Sequence, residues 1–152
     1  MSLDEFTQLT PDDLISSLDN FQQEIVRTLL KVTNGNYLEV ADKWLSASPS
    51  NTAKFGGEIN RSVLYREKVV DEIEKFLCGN DSTYEEERRK LNIQSDKSQK
   101  YIVGVMSTAI GGQLGVAGTF IAPIIVLLVI SMGKMCINAW CEMRREIKTK
   151  TS

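Results

Sequence analysis

The chain has 152 residues, 18 basic and 20 acidic side chains for a net charge of −2, three cysteines and no histidine. That length holds one modest helical domain beside an apolar segment and excludes two large domains. Without histidine the commonest general base and the commonest metal ligand are both missing, so the sequence reads as a non-enzyme with no metal and no cofactor.

Residues 1–9 read as an extended lead-in. The acidic start Met1-Ser2-Leu3-Asp4-Glu5-Phe6 lacks the basic-then-apolar pattern of a signal peptide. Thr10-Pro11-Asp12-Asp13 then supplies a capping hydroxyl, a proline at the first helical position and acids in the first turn. Leu14, Leu18, Phe21, Ile25, Leu29 and Val32 follow at spacings of three or four. They predict one helix from Pro11 to about Thr33 with a single inward face, stopped by Asn34-Gly35. A shorter helix is expected from about Asn36 to Ala47, with Leu38, Ala41, Trp44 and Leu45 inward. Ser48 to Gly57 reads as the longest loop; its Gly56-Gly57 pair has no phosphate-loop context.

A third helix is predicted from about Glu58 to Cys78, with Ile59, Val63, Val70, Ile73 and Leu77 inward and Gly79-Asn80 as terminator. Ser82-Thr83-Tyr84-Glu85 has the form of a capping box for a fourth helix. The run Glu85-Glu86-Glu87-Arg88-Arg89-Lys90 is a solvated face, since consecutive side chains point about 100° apart on a helix and do not converge on an ion. Asn92 to Lys100 is polar and reads as a continuation or a short hinge. Cys78, Cys136 and Cys141 are odd in number and show no CxxC spacing, which gives no support for a disulfide or zinc role and favours a reducing compartment. The sequons at Asn60 and Asn80 read as chance without an export signal.

Tyr101 to Gly133 contains 33 residues without a charged side chain, and in Phe120 to Ile130 nine residues are Leu, Ile, Val or Phe. At ~0.3 to 0.6 kcal/mol each these favour bilayer insertion by roughly 3 to 5 kcal/mol. Gly104, Thr108, Gly111, Gly115, Gly118 and Ala122 recur at steps of four and three. On a helix they form one small-residue stripe, the usual surface for close helix association in lipid and here the expected interface of a homo-oligomer. The apolar region extends past Lys134 to Cys141, 41 residues in all, which exceeds one ordinary span. A hinge at Pro123, with a turn over Gly118 to Ala122, divides it into two arms of spanning length. One long kinked span and a buried or re-entrant hairpin are the alternatives. Tyr101, Lys134, Trp140, Arg144 and Arg145 are the expected membrane-interface anchors.

Charge sets the sidedness. Residues before Tyr101 carry 13 basic and 18 acidic side chains, net −5, and the remainder carries 5 and 2, net +3. The acidic part excludes a nucleic-acid footprint, and basic residues flanking both ends of the apolar region keep both ends cytoplasmic. In composition alone, this Gly- and Ala-bearing stretch behind an amphipathic helical domain looks like the hydrophobic hairpin of colicin-type pore formers and like small membrane effectors of bacterial self-killing defence. The likeness covers only that stretch and assigns no residue. The expectation is an all-α protein: a helical bundle over 1–100, a hydrophobic transmembrane hairpin over 101–141 and a basic tail over 142–152. The expected function is a membrane-perturbing, oligomeric effector; the alternative is a membrane-anchored adaptor that docks a protein partner through its N-terminal helices.

Overall fold

The computed structural model describes residues 1–47, 61–79, 82–93 and 98–151, and no strand occurs among them. The described α-helices are α1 (Leu3–Thr7), α2 (Pro11–Ile15), α3 (Asn20–Val32), α4 (Tyr37–Ser46), α5 (Arg61–Cys78), α6 (Glu85–Ile93), α7 (Gln99–Leu114), α8 (Gly118–Ser131) and α9 (Ile137–Thr151). The fold class is therefore all-α, as the sequence indicates. The Ser48–Gly57 loop, both sequon asparagines and the middle of the Asn92–Lys100 segment lie outside the described residues.

Local side-chain chemistry corrects two of the expected boundaries. Ser2 Oγ accepts from the Glu5 amide at 3.1 Å while the Glu5 carboxylate accepts from the Ser2 amide at 3.4 Å, so a capping box makes α1 helical where an extended lead-in is expected. The single helix expected from Pro11 to Thr33 is two. Past α2 the Ser17 and Leu18 amides donate to the carbonyls three residues back, Leu14 and Ile15, Ser17 Oγ also donates to the Leu14 carbonyl, and Gln23 Nε2 donates to the Leu18 carbonyl, so the regular four-residue ladder ends there. The break re-aims α3: Val26 is fully buried, whereas Phe21 is 72% exposed and Val32 69% exposed.

Elsewhere the described boundaries match closely, and the start of the third helix expected near Glu58 lies outside the described residues. Asn36 Oδ1 accepts from the Glu39 amide at the start of α4, where Val40, Ala41 and Leu45 are buried and Leu38 is exposed. In α5 the inward residues are Tyr65, Val69, Ile73, Phe76 and Leu77. A 3₁₀ turn over Ser82–Tyr84 leads into α6.

The apolar run is the centre of the fold. A helix that is apolar on every face has no side to turn to water, and α8 accordingly packs against α7, α4, α2 and α5, with Ile124, Ile125, Val126, Leu127 and Val129 fully buried. Burying its Leu, Ile and Val side chains at ~1.5 to 3 kcal/mol each contributes on the order of 10 to 25 kcal/mol before entropy is counted. Between α7 and α8 the chain direction turns by 113°, and among the described residues no single helix is long and apolar enough to cross a membrane.

Candidate functional site

The α7–α8 corner is built by glycine. Gly115 closes α7 in the left-handed region at φ 74°, and the Val116 amide donates to the Gly111 carbonyl at 2.9 Å, a C-terminal cap that a β-carbon would strain. A β-carbon at Gly111 would lie 2.7 Å from the Val116 carbonyl oxygen, and one at Gly118 would lie 3.3 Å from the backbone of Ser107 and Thr108. Gly111 and Gly118 of the stripe thus serve close approach inside one chain, between α7 and the start of α8. Gly104 is different: it is exposed, and a β-carbon there meets nothing within 4 Å. Thr108 is exposed and Ala122 half-buried.

The turn falls at 115–117, and Pro123 lies inside α8, so in this fold it is not the hinge. Proline has no amide hydrogen, which leaves the carbonyl four residues earlier without its helical donor. That carbonyl is Thr119, and Gln22 Nε2 donates to it at 2.7 Å; Trp44 Nε1 donates to the next one, Phe120, at 2.9 Å. Trp44 also packs its ring against Phe120 at 6.4 Å, and Tyr65 meets the same ring edge-on at 6.2 Å. Burial pushes the Tyr65 hydroxyl up to about 12, so it stays neutral throughout the physiological range. The sheath helices therefore hold α8 by polar contacts to its first turns as well as by packing.

At the other end, α9 lies on α5. Arg144 donates to Glu74 at 2.9 Å and to Asp71 at 3.1 Å, and Lys148 donates to Glu74 at 2.9 Å. Burial raises the Glu74 carboxyl, but the hydrogen bonds and charges of Lys148 and Arg144 outweigh it and hold the group below its ordinary value. Arg144 also sits over the Trp140 ring at 6.0 Å. Trp140 is 6% exposed and lines the apolar groove between α5 and α9, so in this structure two of the expected interface anchors, Trp140 and Arg144, are engaged with the protein itself. Tyr101, Lys134 and Arg145 are exposed, with Lys134 at φ 62° in the turn after α8.

Two long-range contacts escape any reading of spacing. Asp4 Oδ1 accepts from the Ile137 amide at 2.9 Å, so α1 caps α9 across most of the chain. Cys78 and Cys141 form a disulfide, with Cα atoms 5.8 Å apart and a sequence separation of 63. This corrects the expectation that the cysteines have no structural role; their pairing comes from α5 and α9 lying side by side, which linear spacing does not express. Cys136 is a free, exposed thiol.

No group of histidine, cysteine or carboxylate side chains suited to a metal ion occurs among the described residues. Comparison of the chain with protein family models, curated proteins and solved structures gives no match.

Proposed function

We propose that this protein is a membrane-perturbing helical effector whose apolar α7–α8 pair is stored inside a sheath of amphipathic helices, released into a bilayer, and assembled there with other copies. The observation that carries this reading is α8 itself, an uncharged helix that is apolar all round and buried on every side in a chain of 152 residues. Moving such a helix from a protein core to hydrocarbon leaves its hydrophobic term nearly unchanged, because both surroundings are apolar. The balance then rests on what else holds it. Gln22 and Trp44 contribute hydrogen bonds worth roughly 1 kcal/mol each, a size that a favourable membrane interaction can offset. In the inserted form the basic flanks stay on the cytoplasmic side, and the exposed Arg145 and Lys150 of α9 meet anionic headgroups.

A second reading, an adaptor that binds a partner protein, is favoured by the groove between α5 and α9. This groove has a volume of about 350 Å³ and is lined by Met132, Met135 and Met143, the adaptable side chain of promiscuous binding surfaces. Dye-loaded vesicles containing phosphatidylglycerol separate the two readings. An effector releases dye and then resists carbonate extraction; an adaptor leaves the vesicles sealed. Intact vesicles under both oxidising and reducing conditions would rule out the effector.

A further inference from the structure

The disulfide and the length of α8 bear on one another. α8 has 14 residues, about 21 Å of helix, whereas a bilayer core of about 30 Å needs roughly 20. Toward the N-terminus the uncharged α7 is turned away from α8 by 113°; toward the C-terminus the continuation is Met132 to Cys141, and a helix from Gly118 through Cys141 would have 24 residues and be about 36 Å long. In the fold that continuation is interrupted by Gly133 and Lys134, both at positive φ, and its last residue is covalently joined to Cys78. Next to the bridge, Trp140 is buried and Arg144 and Lys148 are paired with Glu74.

We infer that the Cys78–Cys141 disulfide is a redox latch: it pins α9 to α5 and keeps α8 below spanning length, and its reduction frees α9 so that α8 can lengthen. The part of the inference that concerns insertion rests on the effector reading; the release of α9 does not. A dithiol reductant is the co-reactant. Cys141 is buried and Cys78 only half-buried, so the incoming thiolate attacks the Cys78 sulfur, and Cys141 leaves as a thiolate and takes up a proton. The reductant's second thiol then displaces Cys78 from the mixed disulfide. Two electrons and two protons pass to the protein, and the reductant becomes a disulfide.

The test uses the full chain carrying Cys136→Ser, which removes the exposed thiol that could exchange with the bridge. Hydrogen exchange is followed on the oxidised protein and after reduction by dithiothreitol, with phosphatidylglycerol-containing vesicles present in a parallel arm. The latch predicts that amides of α9 exchange at least about tenfold faster after reduction while α4 and α5 stay protected. It predicts dye release from the reduced protein alone. Cys78→Ser, checked for helicity by circular dichroism, should behave as reduced whatever the reductant; should it not fold, the in-place reduction still decides. Equal protection of α9 in both redox states overturns the latch, as does dye release that is above background and equal in the two states. Faster exchange of α9 with sealed vesicles upholds the latch and overturns the effector reading instead.

Discussion

A β-carbon added at Gly111 would lie 2.7 Å from the Val116 carbonyl oxygen, whereas one added at Gly112 meets nothing within 4 Å. The two neighbours therefore answer substitution with opposite signs. Gly112→Ala should raise stability by roughly 0.5 to 1 kcal/mol, because alanine restricts the unfolded chain and suits a helix better. Gly111→Ala should lower it by about 1 to 3 kcal/mol, because backbone must shift to admit the methyl group. Urea midpoints for the two variants measure this, and equal effects would mean that the α7–α8 corner is not tight. The glycine pair was visible in sequence. Which member carried the contact was not, because that depends on where Val116 and Gly118 return to α7. Trp44 is a similar case: its place on an inner face was legible, but the Phe120 carbonyl that it serves belongs to a helix 76 residues later.

At the scale of elements, α9 is held by three different means: an Asp4 cap, the Glu74 ion pairs and a disulfide. In the loop-entropy account a bridge spanning 63 residues stabilises the native state by about 4 kcal/mol. The ion pairs add a pH dependence whose sign follows from the lowered Glu74 carboxyl. Their contribution is present above the ordinary carboxylate value of 4.5 and is lost as pH falls through the lower folded value. Hydrogen exchange of α9 in the oxidised protein, compared at neutral pH and below 4.5, should show protection falling more in the parent than in Glu74→Gln. The variant should start less protected, having given up the charge that Arg144 and Lys148 address. If the two proteins lose protection in parallel, the pairs do not hold α9. The sequence marked these residues only as a polar face and a basic tail, since pairs 70 or more residues apart have no signature in periodicity.

Over the whole molecule, the proposed assembly needs a surface that the folded chain has not already used. Gly111 and Gly118 are occupied by the α7–α8 crossing, so enlarging them damages the monomer and says nothing about oligomers. Gly104 is the informative position, because it is exposed with open space around it. Gly104→Leu should leave the thermal midpoint of the oxidised protein nearly unchanged, while weakening association of vesicle-bound copies by an order of magnitude or so, about 1.4 kcal/mol. Cross-linking on vesicles reads the association. Undiminished cross-linking of the variant would confine the stripe's role to the inside of one chain.

Composition and periodicity alone determined that the protein is all-helical, where α4 begins and ends, and that Phe120 to Ile130 is the segment around which everything else is arranged, because a helix without a polar face must be surrounded by something apolar. They did not determine what surrounds it. An apolar helix gains much the same from a protein core as from lipid, so hydropathy does not distinguish the two. In the fold α8 is surrounded by protein, with the Gln22 and Trp44 contacts at one end and the helix α9, tied to α5, at the other. The break between α2 and α3, the Asp4 cap on α9 and the Cys78–Cys141 bridge were likewise decided only in three dimensions, since each depends on which groups the folded chain brings within bonding distance and none on their order along it.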